Sequence, residues 1–143
     1  MCSSDLSVVV TGADRTTVWP AVKAAAGKNR LEIEADQRAH LGIFYRSDHF
    51  SLAQAGVPAF SVTAGTKIQG KPQDFARKAF QEFNDKVYHS PQDELKPEWD
   101  FSGFVVLGRF ALDVARDVAN ADRLPTWNPG DEFRPAREKH GVK

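Results

Sequence analysis

Short strand-like segments alternate with helix-like segments along the amino-terminal part of the chain, and this alternation constrains the fold more than any other feature. Residues 8–10 are three valines followed by Thr11 and Gly12, which is typical of a short buried strand with a turn behind it. Residues 31–36 alternate apolar and acidic side chains, the period-two pattern of a half-exposed strand. A third, largely apolar strand is predicted over residues 58–62.

Helical patterns separate these strands. Residues 18–26 predict a helix, with Thr17 as its amino-terminal cap and with a proline in its first turn, where the missing N–H costs nothing. A second helix is predicted to begin after Ser47, which is a good cap, and to end before Gly56. Strands that alternate with helices predict an α/β fold, with helices on both sides of a mainly parallel sheet.

The carboxyl-terminal half of the chain is predicted to be helical. Apolar side chains recur every four residues over 75–87, the pattern of an amphipathic helix. Asp100 is a plausible cap for the longest helix, whose apolar face would comprise Phe104, Leu107, Ala111, Val114 and Val118. After Asp122 the prolines and glycine predict an irregular tail, in which Trp127 packs on the body.

The composition is that of a globular protein. The chain has 143 residues, of which 41% are hydrophobic and 27% are charged, enough for one domain with a core. Nineteen basic side chains balance 19 acidic ones, so charge predicts no binding to nucleic acid. No apolar run is long enough to span a membrane. A single cysteine, Cys2, excludes an internal disulfide and a thiolate zinc cage.

Two polar clusters carry the residue types of a metal-dependent site. Residues 88–93 form a Tyr-His-Ser-x-x-Asp pattern, in which a neutral imidazole can bind a metal and a phenol can polarise a carbonyl group. Ser90 and Asp93 also have the spacing of a helix capping box, with Pro91 at the first helical position. Residues 47–49 form a Ser-Asp-His pattern at the predicted start of a helix.

These two clusters, in this order, resemble the C-terminal half of the co-catalytic di-zinc aminopeptidases, family 28 of the metallopeptidases. The resemblance covers Ser7 to about Arg137. It implies a three-layer zinc-exopeptidase-like fold, with helices on both faces of the sheet, of which only the C-terminal part is present. The remaining residues 138–143 are predicted to be a frayed tail.

The resemblance assigns a role to several side chains. His89 is the last protein ligand of a centre that holds two zinc ions in the intact enzyme, and Tyr88 is the catalytic group that stabilises the oxyanion. Asp48, His49 and Asp93 lie around the ligands and orient them. The pocket for the substrate side chain is lined by Tyr45 and Arg46.

Simpler interpretations stand beside these roles. Tyr88 is also the kind of residue that lies half-buried with an exposed polar tip. The carboxylate of Asp48 suits the first turn of a helix, where it meets the helix dipole favourably. For Asp93 the capping box is the favoured role, because Ser90 supplies its other half.

The chain departs from the family pattern in one decisive respect. The family also uses a histidine, a bridging aspartate, a second aspartate and a Glu-Glu pair that contains the catalytic base, all from segments upstream of the Val8 strand. No Glu-Glu pair occurs in these residues. We therefore expect a fragment of a zinc-dependent aminopeptidase that is inactive alone, because the amino-terminal half of its domain is missing. Intact, it would hydrolyse N-terminal residues from peptide substrates by metal-activated water.

Two other functions fit the same fold. Glutaminyl cyclases use a single zinc and carry a tryptophan before the last ligand, whereas this chain has Tyr88 there. Non-catalytic receptor modules of this architecture have lost their metals, and the presence of Tyr88, His89 and Asp48 together disfavours that class. Family members are commonly exported, to the periplasm or out of the cell, whereas this chain itself assigns no compartment. Residues 1–6 match a translated sequencing adapter and are predicted to be an artefact.

Overall fold

The computed structural model describes residues 6–140 of the chain. The predicted adapter residues other than Leu6, and the last three residues of the predicted tail, lie outside the described residues. The strands are β1 (Ser7–Thr11), β2 (Glu32–Glu34) and β3 (Ser61–Ala64). The helices are α1 (Trp19–Lys28), α2 (His49–Gln54), α3 (Phe75–Lys86), α4 (Ser102–Ala119) and α5 (Arg134–Lys139), with single 3-10 turns at Ala13–Arg15, Ala39–Leu41 and Ile43–Arg46.

The three strands form a mixed sheet in the order β2-β1-β3. β1 and β2 are parallel, with Val8 opposite Ile33, as expected for strands joined through a helix. β3 is antiparallel to β1, with Ser61 opposite Thr11, which corrects the expectation of a mainly parallel sheet. β2 ends and β3 begins at the same end of the sheet, the one where β1 ends. No crossover connection is therefore needed to place β3 antiparallel to β1.

The main core lies between the sheet and two helices. Val8 and Val10 of β1 are buried against Val22 of α1 and against Phe110 and Val114 of α4. Because side chains alternate along a strand, these two valines point to one face of the sheet. This packing confirms the α/β class and accounts for the apolar run at residues 8–10.

The buried face of α4 differs from the predicted one. Val114 faces the core as expected, and Leu107 and Val118 pack against it, but Phe104 is 73% exposed and Phe110 is fully buried instead. A four-residue count along an apolar helix does not distinguish the two phenylalanines, because α4 carries apolar side chains on opposite sides.

A second, smaller core lies beside the carboxyl end of β1. It consists of Phe44, Ala53, Trp127 and Phe133, with Phe50 packed against it. The indole N–H of Trp127 donates to the carbonyl of Gly56 at 3.0 Å, which satisfies the only polar atom of this buried side chain. The prediction that the tryptophan packs on the body is therefore confirmed. The predicted irregular tail also contains the helix α5.

Several predicted helix boundaries are wrong. The hydroxyl of Thr17 accepts a hydrogen bond from the Thr126 amide instead of capping α1, which runs through Gly27 to Lys28. The hydroxyl of Ser47 donates to the Ile43 carbonyl and does not cap α2. Neighbouring segments compete for these hydroxyls, and the sequence alone does not show which partner wins.

Candidate functional site

His89 lies in a turn directly after α3. The amides of Val87 and Tyr88 both donate to the carbonyl of Phe83, which closes the helix. His89 itself has a φ of 57°, in the left-handed region that few residues other than glycine adopt. The imidazole of His89 is exposed.

The side chain of Tyr88 packs on the imidazole of its neighbour. The two ring centroids are 3.7 Å apart and the ring planes meet at 23°, a stacked arrangement. Tyr88 is 51% exposed, so it is neither a core residue nor fully solvated. The structure thus brings Tyr88 and His89 together on one exposed turn, as their adjacency in the chain requires.

Asp93 is exposed, and no helix begins at Pro91. The hydroxyl of Ser90 donates back to the Val87 carbonyl and accepts from the amide of Gln92, so it serves the turn that contains His89. The favoured capping-box role of Asp93 is therefore wrong. A serine followed by proline suits a turn as well as a helix start, which explains the error.

The Ser-Asp-His motif lies where the 3-10 turn Ile43–Arg46 meets α2. Asp48 is exposed, whereas the ring of His49 packs edge-on against Phe44 with the centroids 4.8 Å apart. The Nε2 atom of His49 is buried and has no hydrogen-bond partner among residues 6–140. Burial lowers the pKa of His49 below its ordinary value, and the nearby Asp48 carboxylate opposes this shift.

These residues do not form a complete zinc site. Zinc in proteins is held by three or four nitrogen, sulfur or oxygen ligands. In the part of the chain that the structure describes, no three His, Cys, Asp or Glu side chains are grouped so that they could hold a metal ion. His89 can supply one nitrogen ligand, and the remaining ligands would have to come from elsewhere.

Tyr45 borders a cavity of about 250 Å³ at the carboxyl ends of the two parallel strands. Thr11, Asp36 and Phe44 line the same cavity. The carboxyl ends of parallel strands are the usual location of ligand sites in open α/β sheets. Arg46 is exposed at the end of the adjacent 3-10 turn.

Arg15 was not predicted from the sequence, yet it links this cavity to the second core. Its guanidinium lies 5.1 Å from the ring centroid of Phe44 and 5.0 Å from that of Phe133. It also donates to the Asp131 carboxylate at 2.7 Å and to the Glu132 carboxylate at 2.9 Å. Burial alone would lower the pKa of Arg15, but these two carboxylates raise it overall.

No local pattern in the sequence could have shown this cluster, because Arg15 and its carboxylate partners are separated by more than 100 positions. The adjacent acidic residues Asp131 and Glu132, which follow Gly130 in the tail, were only a weak indication that the tail binds a basic side chain.

The comparison with protein families shows to which family the chain belongs. The model of Peptidase family M28 matches residues 3–113, a range that includes both polar motifs. The chain belongs to peptidase family M28. Comparison with curated proteins and with solved structures gives no match.

Membership of family M28 confirms the resemblance on which the site residues were assigned. Members of this family are peptidases and generally use zinc. The small sheet with its helices is consistent with part of an M28 domain. Within residues 6–140, none of the helices has the length and apolar character needed to cross a membrane. The match ends at residue 113, so the segment that carries Trp127, Asp131 and Glu132 lies outside it.

Proposed function

We propose that this chain is the C-terminal part of the catalytic domain of a zinc-dependent aminopeptidase, which removes N-terminal residues from peptides. The observation that carries the proposal is the exposed turn at residues 88–90, which presents an imidazole and a phenol side by side within an M28 sequence. The left-handed φ of 57° at His89 supports a functional role, because uncommon backbone conformations cluster at functional sites.

His89 would supply one nitrogen ligand to zinc. Its exposure suits a ligand that meets partners from another segment. The other ligands and the base that activates water would come from residues outside this chain. On this account the 143-residue chain alone has no peptidase activity.

Tyr88 would stabilise the negative charge that develops on the peptide carbonyl oxygen. Its phenol is half-exposed and is held next to the imidazole by stacking, so it would lie close to a carbonyl group bound by the zinc. A single donor of this kind is typically worth about 10²–10³-fold in rate.

His49 and Asp48 would support the site from the start of α2. The neutral imidazole that burial favours has a buried Nε2 with no partner in the described part of the chain, so it can accept a hydrogen bond from a further segment of the domain. Such contacts orient the groups that hold a metal.

The test is peptide hydrolysis by the complete catalytic domain that contains this chain. We expect release of the first residue from a leucyl peptide and no release from its N-acetylated form, since an exopeptidase needs a free amino terminus. Cyclisation of an N-terminal glutamine without hydrolysis would identify a glutaminyl-cyclase-like enzyme instead. A domain that binds no added zinc and shows neither activity would favour a binding module.

A further inference from the structure

The segment of residues 127–134 lies outside the family match, yet one of its side chains, Glu132, binds two residues that line the cavity bordered by Tyr45. Its backbone pairs with the loop after β1 through a bridge between Thr16 and Trp127. Its side chains Trp127 and Phe133 complete the second core. The segment is therefore anchored to the loop after β1 and to the second core.

Glu132 connects this segment directly to the cavity. Its Oε1 atom accepts a hydrogen bond from the Tyr45 hydroxyl at 2.7 Å and another from the Arg15 guanidinium at 2.9 Å. One carboxylate oxygen thus joins two side chains that both line the cavity. Hydrogen bonds to a charged acceptor are about twice as strong as neutral ones, which favours a fixed position of the phenol.

The guanidinium of Arg15 is held in place by several contacts. It is packed against the rings of Phe44, Trp127 and Phe133 and is also bound to Asp131, whose side chain is only 8% exposed. The Tyr45 ring is held in turn by edge contacts with Phe44 and Phe50 at 5.3 and 5.5 Å. Glu132 is bound to the held Arg15 and accepts a hydrogen bond from the Tyr45 hydroxyl, which completes the restraint on this half-exposed ring.

We propose that Glu132 is a positioning residue, which fixes the Tyr45 ring as a wall of the cavity and so makes the carboxyl-terminal segment a determinant of which substrate side chain the cavity accepts. The identity of the substrate rests on the proposed aminopeptidase function, whereas the positioning of Tyr45 does not. The hydrogen bond to Glu132 raises the pKa of Tyr45, and desolvation adds to this effect.

The positioning is tested by titrating Tyr45 in the 143-residue chain. Tyr45 and Tyr88 are its only tyrosines, so in a Tyr88→Phe background the phenolate absorbance reports Tyr45 alone. We expect Glu132→Gln to shift the pKa of Tyr45 downward toward that of a free tyrosine. The matched control is Glu138→Gln, which removes an exposed carboxylate paired with Arg134 in the same segment and should leave the titration unchanged. An unchanged Tyr45 titration in Glu132→Gln overturns the proposal.

The effect on substrate choice is tested separately in the complete catalytic domain. Glu132→Gln should raise KM for a leucyl peptide about fivefold with little change in kcat, because the neutral amide weakens the charge-assisted hydrogen bond by about 1 kcal/mol. Equal KM values in Glu132→Gln and Glu138→Gln would overturn the role in substrate choice. A domain that hydrolyses no peptide refutes the proposed function, while the Tyr45 titration still decides the positioning.

Discussion

At the residue scale, Gly12 is a position where the backbone conformation and a close neighbour both require glycine. Its φ is 98°, and a Cβ atom there would lie 2.4 Å from Cε2 of the Phe44 ring. That ring is buried and packed against Arg15, so it cannot move aside. The turn after β1 and the wall of the cavity therefore depend on this missing side chain.

Gly12→Ala should destabilise the chain by about 1–3 kcal/mol, because it combines backbone strain with a steric clash. The matched control is Gly108→Ala within α4, where a Cβ would meet nothing within 4 Å. This control should stabilise the chain by about 0.5–1 kcal/mol. Chemical denaturation followed by circular dichroism measures both. Equal effects of the two substitutions would contradict both the positive φ of Gly12 and its contact with Phe44.

The residue scale also shows what the sequence could reveal about the site. The pairing of Tyr88 with His89 follows from adjacency and was predictable. The burial of the His49 ring against Phe44 was not, because a histidine at the start of a helix is equally compatible with full exposure. The link from Glu132 to Tyr45 joins residues 87 positions apart, so no motif could have indicated it.

At the element scale, Glu34 joins β2 to the turn after β3. Its carboxylate accepts hydrogen bonds from the amide and hydroxyl of Thr66 at 2.9 and 2.7 Å. Burial alone would raise the pKa of Glu34, but hydrogen bonds from Ser7 and from Thr66 lower it overall. The ionised carboxylate thus holds two edge strands together across β1.

Stability should therefore depend on pH in the acid range. Because the folded-state pKa of Glu34 lies below its ordinary value of 4.5, its contribution is complete above that pH and is lost as the pH falls through the folded-state value. Glu34→Gln should cost about 1 kcal/mol at neutral pH, a figure reduced for partial exposure.

In Glu34→Gln the free energy of unfolding should also fall less on acidification than in the parent chain. Thermal unfolding at several pH values between neutral and acid measures this difference. Glu32→Gln is the control, since Glu32 makes only an exposed ion pair with Lys67 and should change stability little. A variant Glu34→Gln that unfolds with the same pH dependence as the parent chain would rule out this stabilising role of the Glu34 carboxylate.

The existence of most elements could be predicted, and their ends could not. All three strands, α1, α2, α3 and α4 lie within a few residues of their predicted places, because periodicity is a local property. Which hydroxyl caps a helix depends on tertiary neighbours, as Thr17 and Ser47 demonstrate. The direction of β3 depends on where the preceding chain lies, which local patterns do not contain.

At the scale of the whole molecule, the carboxyl-terminal segment packs against the loop that follows β1. Trp127 is fully buried, more than 100 residues away from the Thr16 with which it pairs. This residue therefore connects the loop after β1, α2 and the tail in a single core.

Trp127→Ala should cost about 3–5 kcal/mol, a large share of the 5–15 kcal/mol that typical domains possess. Leu124→Ala, three residues earlier and 66% exposed, should change stability by less than about 0.5 kcal/mol. Urea unfolding monitored by circular dichroism distinguishes them. A small effect at Trp127 would mean that the tail does not contribute to the core.

The central claim concerns His89 as a zinc ligand of a family M28 peptidase. The most direct measurement is the zinc content of the complete catalytic domain, determined by elemental mass spectrometry for the wild type, His89→Ala and the control His140→Ala, which alters an exposed histidine at the chain end. We predict that His89→Ala loses zinc and peptidase activity together, while His140→Ala retains both. An unchanged zinc stoichiometry in His89→Ala would contradict the account.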